Sequence, residues 1–73
     1  MIGTVRIDDN SRSRGFCFIR GADGLDYFTH RNELRGGLNI DTVLRDQRVV
    51  FVPTTGVKGL KANEVFPITG NEA

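Results

Sequence analysis

The chain has no tryptophan and, among 73 residues, only one cysteine, one histidine, one methionine, one tyrosine and two prolines. The single cysteine, Cys17, excludes an intramolecular disulfide, which fits a reducing compartment, and it reads as a small core residue rather than a nucleophile. One histidine and one cysteine cannot supply a zinc ligand set, so no metal or other cofactor is expected. No apolar run approaches the length of a membrane span, and Met1–Arg6 lacks the apolar stretch of a signal peptide. The expectation is a soluble cytoplasmic protein with no membrane partner. A phosphate-cradling glycine loop is missing, and the adjacent Asp8 and Asp9 fit a hydrated turn better than an acid/base pair. Catalysis and a small-molecule substrate are therefore not expected. The formal net charge of +1 is too small to argue by itself for a polyanionic partner.

Arginine is present, and it is placed locally. Eight of the ten basic residues are Arg, and Arg6, Arg12, Arg14, Arg20, Arg31 and Arg35 all lie in the first half. Arg stacks on flat rings and makes forked hydrogen bonds to phosphate. The cations flank two stretches, Arg14-Gly15-Phe16-Cys17-Phe18-Ile19-Arg20 and Asp26-Tyr27-Phe28-Thr29-His30-Arg31, which both read as strands bounded by turn formers. Alternation puts Arg14, Phe16, Phe18 and Arg20 on one face of the first and Gly15, Cys17 and Ile19 on the other. In the second, Asp26, Phe28 and His30 oppose Leu25, Tyr27 and Thr29. Phenylalanine is ordinarily an inside residue. Here, burying Phe16 and Phe18 would drag two guanidinium groups inward, whereas Cys17 and Ile19 can be buried without that penalty. Alternation thus leaves two readings open, aromatics buried as ordinary core or aromatics outside, fringed by cations, the second a combination that suits unpaired nucleic acid.

Along the rest of the chain, Ile2–Asp8 alternates as a first strand with Val5 and Ile7 inward. Residues 9–13 read as a polar loop, Gly21–Gly24 as a tight connection, and His30–Leu34 as one helical or 3₁₀ turn. A longer loop spans Arg35–Arg45, with Leu38, Ile40, Val43 and Leu44 as anchors. Gln47–Pro53 reads as a fourth strand ended by proline, 54–59 as a turn-rich loop, and Leu60–Ile68 as a fifth strand. Five short strands in one small domain, 1–70, with a tail at 71–73, predict an all-β closed barrel.

These residues resemble the cold-shock domain family. Gly3-Thr4-Val5-Arg6 is similar to its opening strand, and Arg14-Gly15-Phe16-Cys17-Phe18-Ile19 to its first ribonucleoprotein motif, with Cys17 in place of a glycine. Asp23-Gly24-Leu25-Asp26-Tyr27-Phe28-Thr29-His30 resembles the hairpin into the second motif. Gln47-x-Val49-x-Phe51 resembles the fourth strand, and Gly56-Val57-Lys58-Gly59-Leu60-Lys61-Ala62-x-x-Val65 the closing segment. The likeness spans nearly the whole chain in order. It implies a five-stranded antiparallel OB-type Greek-key barrel that binds single-stranded RNA or DNA by base stacking. Phe16, Phe18 and Phe28 would be the stacking platforms and His30 their neighbour. Arg6 and Arg14 would be cations near the nucleic-acid backbone, and Asp26 an acceptor for a base edge.

The chain also departs from the family pattern. Where the family has Trp-Phe-Asn after the opening strand, this chain has Ile7-Asp8-Asp9, and the connection to Gly15 is about two residues longer. The aromatic expected after the histidine is Arg31. Arg31 offers a guanidinium plane for stacking, Arg12 and Arg35 offer phosphate contacts from their loops, and Arg20 is a further candidate on the ring face. A stacked base is worth about 1–3 kcal/mol, so binding weaker than that of a typical family member is expected. The implied role is a nucleic-acid chaperone or a regulator of transcription or translation. The alternative is an OB barrel repurposed to contact a protein partner, with nucleic-acid binding weak or lost.

Overall fold

A computed structural model describes residues 1–68; residues 69 and 70, and the tail read at 71–73, lie outside the described residues. Strands β1 (Ile2–Arg6), β2 (Phe16–Gly21) and β3 (Asp26–His30) form an antiparallel meander, and β4 (Arg48–Gly56) and β5 (Gly59–Pro67) form a long hairpin. Pairing of β4 with β1 and of β5 with β3 closes the ring in the order β1-β2-β3-β5-β4. This is the expected all-β OB-type barrel, with one amendment. An odd number of strands cannot alternate direction all the way round a closed ring, so one contact must be parallel. It is β3 with β5, where Phe28 stands opposite Lys61.

The two-residue period sorts each strand into inner and outer faces. Val5, Cys17, Ile19, Val49 and Val65 are fully buried, and Tyr27 and Phe51 fill the remaining width with ring centroids 5.1 Å apart. Ile7 turns inward as its spacing requires, and Ile40 and Val43 from the long loop close one end. Leu44, read as a further anchor, is 70 % exposed, and Leu25, which alternation grouped with Tyr27 and Thr29, is half exposed in the β2–β3 turn. Burial of Thr29 is tolerated because its Oγ1 donates to the Ala62 carbonyl at 2.9 Å. Burial also pushes the Cys17 thiol up to about 11, far from any nucleophilic range.

Residues 9–14 are not a loop. They form a short helix, α1 (Asp9–Arg14), whose two ends are marked by side-chain chemistry. The Asp8 carboxylate accepts from the Ser11 backbone N–H at 2.7 Å, Asp9 lies in the first turn, and Arg12 and Arg14 lie in the last. Gly15 ends the helix at φ 82°, a left-handed conformation that favours glycine. The connection's extra length is thus wound into α1. Arg12 then reaches back across the chain and donates to the carbonyls of Ile40 and Val43, both at 2.9 Å, pinning the long loop to the barrel.

Pro53 does not end the fourth strand, and 54–56 belong to β4 rather than to a loop. Beside β1, β4 is accompanied only through Val50 and the Phe51 N–H, which donates to the Met1 carbonyl. Beyond that point β4 has β5 alone for a partner. Proline is tolerated on a strand with an open edge, so the hairpin runs on to a two-residue turn at Val57-Lys58.

Two outcomes are expected. A Cβ at Gly3 would come within 2.6 Å of the Arg20 carbonyl oxygen and 2.8 Å of Ile19 Cγ2. Gly3→Ala should therefore destabilise by about 1–3 kcal/mol, read as a lower urea midpoint. Cys17 should resist a thiol reagent in the native protein and react at the rate of a free thiol once denaturant is added.

Candidate functional site

The outer face of β2 and β3 carries the three rings together. Register places Phe16 opposite His30, Phe18 opposite Phe28, and Arg20 opposite Asp26. Phe18 is 38 % exposed and Phe16 and Phe28 are half-buried. Phe16 and Phe28 lie 5.3 Å apart and 30° from coplanar, and Phe18 meets them edge-on, at 6.0 Å and 89° from Phe16 and 5.8 Å and 79° from Phe28. Edge-to-face contacts are what ring quadrupoles favour, so the cluster holds its own shape without a ligand. The neighbouring strands extend it sideways: Arg6 stands beside Phe18 across β1, and Lys61 beside Phe28 across β5. One continuous row therefore reads Arg6, Phe18, Phe28, Lys61.

His30 sits at the end of β3 and caps the 3₁₀ turn Arg31–Glu33, its Nδ1 accepting from the Asn32 N–H at 3.2 Å. In the neutral ring this leaves the proton on Nε2, a donor at the edge of the cluster.

The charges on this face are largely paired. Both Arg20 Nε and Nη2 donate to the Asp26 carboxylate, and this hydrogen bond holds the Asp26 carboxyl below its ordinary value and raises Arg20. Arg6 Nη1 lies 3.4 Å from Asp46 Oδ1, an ion pair across forty residues. It follows from the backbone, since the Asp46 N–H donates to the Val5 carbonyl at 2.9 Å. Both pairs are solvent-exposed, where such contacts contribute little to stability. They still place a carboxylate in competition with any anion for the same guanidinium.

Other sequence-derived candidates lie elsewhere. Arg12 is not brought to the rings; the carbonyls of Ile40 and Val43 occupy its guanidinium. Arg14 ends α1 instead of sharing the β2 face, because Gly15 turns the chain before the strand begins. Arg31 lies alongside Gly15, where a Cβ would come within 3.3 Å of its Cδ, and it borders a cleft of about 260 Å³ against Leu38–Asp41. Where the family pattern would put its Trp-Phe-Asn, Ile7 is buried and Asp8 caps α1. An open groove of about 330 Å³ remains there, between Ile7 and Phe18 and walled by Arg6, Arg20, Asp26 and Arg45.

Two lysines were missed by the sequence reading. Lys58 and Lys61, with Leu60, form a cleft of about 310 Å³ against Phe28. Only the parallel β3–β5 contact puts them there, and no local pattern in the sequence carries that contact.

No family model matches the chain. The chain is similar to the major cold shock protein CspA of Pseudomonas aeruginosa, with 36 % identity over 63 residues that cover 86 % of this chain and 87 % of that protein.

The Arg20–Asp26 pair has a pH signature. With the folded-state value held below the ordinary 3.8, the pair's contribution to stability is present above the unfolded value and is lost as pH falls through the folded one. In a carboxyl-resolved NMR titration, Arg20→Gln is expected to return Asp26 towards its ordinary value. The variant should also lose less stability than the wild type on acidification.

Proposed function

Because the chain belongs to the cold-shock protein family, a family of nucleic-acid-binding proteins, we propose that its ring face binds single-stranded RNA or DNA by base stacking. The observation that carries this is the cluster of Phe16, Phe18 and Phe28, outward-facing and flanked in register by Arg6 and Lys61. A three-ring cluster offers faces on which any base can stack, and the flanking cations lie where a backbone crossing β1 to β5 would carry its phosphates.

The remaining roles follow from position. His30 Nε2 donates to a base or phosphate beside Phe16. Asp26 accepts from a base edge, and Arg20 turns towards phosphate when Asp26 does so. Arg14 and Arg31 meet the strand at the Gly15 end, and Lys58 and Lys61 at the other. Arg12 belongs to the scaffold. Stacking tolerates every base, so little sequence selectivity is expected beyond what Asp26 and His30 supply. The protein acts as a binder that keeps strands unpaired, a nucleic-acid chaperone or a regulator of transcription or translation, with no catalytic step.

Affinity is lower than a full aromatic surface would give. Ile7 and Asp8 supply no platforms, and two of the flanking arginines already hold carboxylates. The same pairing favours a second reading, a barrel whose nucleic-acid binding has decayed in favour of a protein contact.

Fluorescence anisotropy of an unstructured pyrimidine oligonucleotide, as RNA and as DNA, separates the two. Salt-sensitive binding is expected, weakened more than about ten-fold in Phe16→Ala/Phe28→Ala, since each stacked base contributes about 1–3 kcal/mol. Asp46→Asn, which releases Arg6, should tighten binding at low salt and lose that advantage at high salt. A flat titration by the folded protein at low salt would overturn the stacking reading and leave the protein-contact barrel.

A further inference from the structure

Away from the ring cluster, β1, β4 and β5 present an apolar patch on their outer face. Register sets Ile2 beside Val50 and Val50 beside Phe66, and these side chains are 46 %, 40 % and 42 % exposed. Val52 and Met1, 49 % and 40 % exposed, widen the row into a patch. A shallow groove of about 290 Å³ runs between Met1, Val50, Val52 and Phe66, with Glu64 at its rim. Contiguous apolar surface of this kind on a small domain marks a contact site.

The charges around the patch say what fits it. Arg48 lies two residues before Val50 on β4, and Glu64 two residues before Phe66 on β5. The strands are antiparallel, so the two charges fall on opposite sides of the Val50–Phe66 row. Both are exposed, and neither has an ion-pair partner among the described residues. A two-fold axis lying in the interface along that row lays apolar row on apolar row and exchanges its two sides. Arg48 of each copy then stands over Glu64 of the other.

We infer that this face is a self-complementary dimer contact. A second copy of this chain docks on Ile2, Val50, Val52 and Phe66, and two reciprocal Arg48–Glu64 pairs set the register. A stable interface buries about 800 Å² on each partner, against 4760 Å² for the whole accessible surface of this chain. Five half-exposed side chains fall short of that area, so the dimer is weak and forms at high protein concentration. The ring cluster on β2 and β3 stays uncovered.

Sedimentation equilibrium across a wide concentration range tests this with a charge-swap series. The wild type should rise from one chain mass towards two, and Val50→Lys should stay monomeric. Arg48→Glu and Glu64→Arg should each weaken association by about ten-fold or more, because each places like charges opposite one another twice. The double variant Arg48→Glu/Glu64→Arg should recover to near the wild-type level. A wild type that stays monomeric throughout overturns the inference, as does a Val50→Lys variant that associates like the wild type. Failure of the double variant to recover overturns the two-fold register. Thermal melts confirm that each variant folds, and should Val50→Lys not, the charge-swap series decides alone.

Discussion

How little room the barrel has inside governs what appears outside it. Five short strands enclose a space filled by Val5, Cys17, Ile19, Val49 and Val65, with Tyr27 and Phe51 as the two rings the core accommodates. Small and branched side chains fit a narrow ring closely, and close fit is where core stability resides. Phe16, Phe18 and Phe28 have no place there. Alternation turns them outward, and because β2 and β3 pair in register they emerge side by side. The surface cluster is thus the other half of a core constraint: Cys17 and Ile19 go in, so the phenylalanines come out.

That relation explains why the ring face was legible before any coordinates. Period-two spacing set Val5 and Ile7 inward and grouped Cys17 with Ile19 and Leu25 with Tyr27 and Thr29; all of these are buried except Leu25, which is half exposed. Local geometry needs only local sequence. The helix α1 was missed although its end signals stood in plain view, Asp8 before it and Gly15 after it. Six residues of Asp, Asn, Ser and Arg carry no apolar stripe, and polar composition there reads as loop. The length of β4 was misjudged for a different reason. Proline ends a strand that is paired on both sides, and only the closed ring reveals that β4 is paired on one side at Pro53.

What stayed hidden is what depends on distant parts of the chain. Arg6 meets Asp46 because the backbone of Val5 accepts from residue 46. Arg12 looked like a loop cation and proved to be a clamp on Ile40 and Val43. Lys61 joins Phe28 through the one parallel contact that an odd-stranded ring must contain. Each of these alters the electrostatics of the ring face, removing one guanidinium, shielding another and adding an ammonium. The resemblance located the face; the long-range contacts decide how strongly it attracts an anion.

The closing of the ring also bears on how the chain is made. β1 is made before the other four strands, yet its second neighbour, β4, begins at Arg48, and Met1 bonds through its own amino group to the Phe51 carbonyl. The ring is completed only by β5, at the far end of the described residues. A nascent chain therefore carries an open three-stranded meander with Val5, Ile19 and Tyr27 uncovered until β5 has been synthesised. The barrel cannot close before β5 has been made, and until then the inner face of the meander is open to other chains.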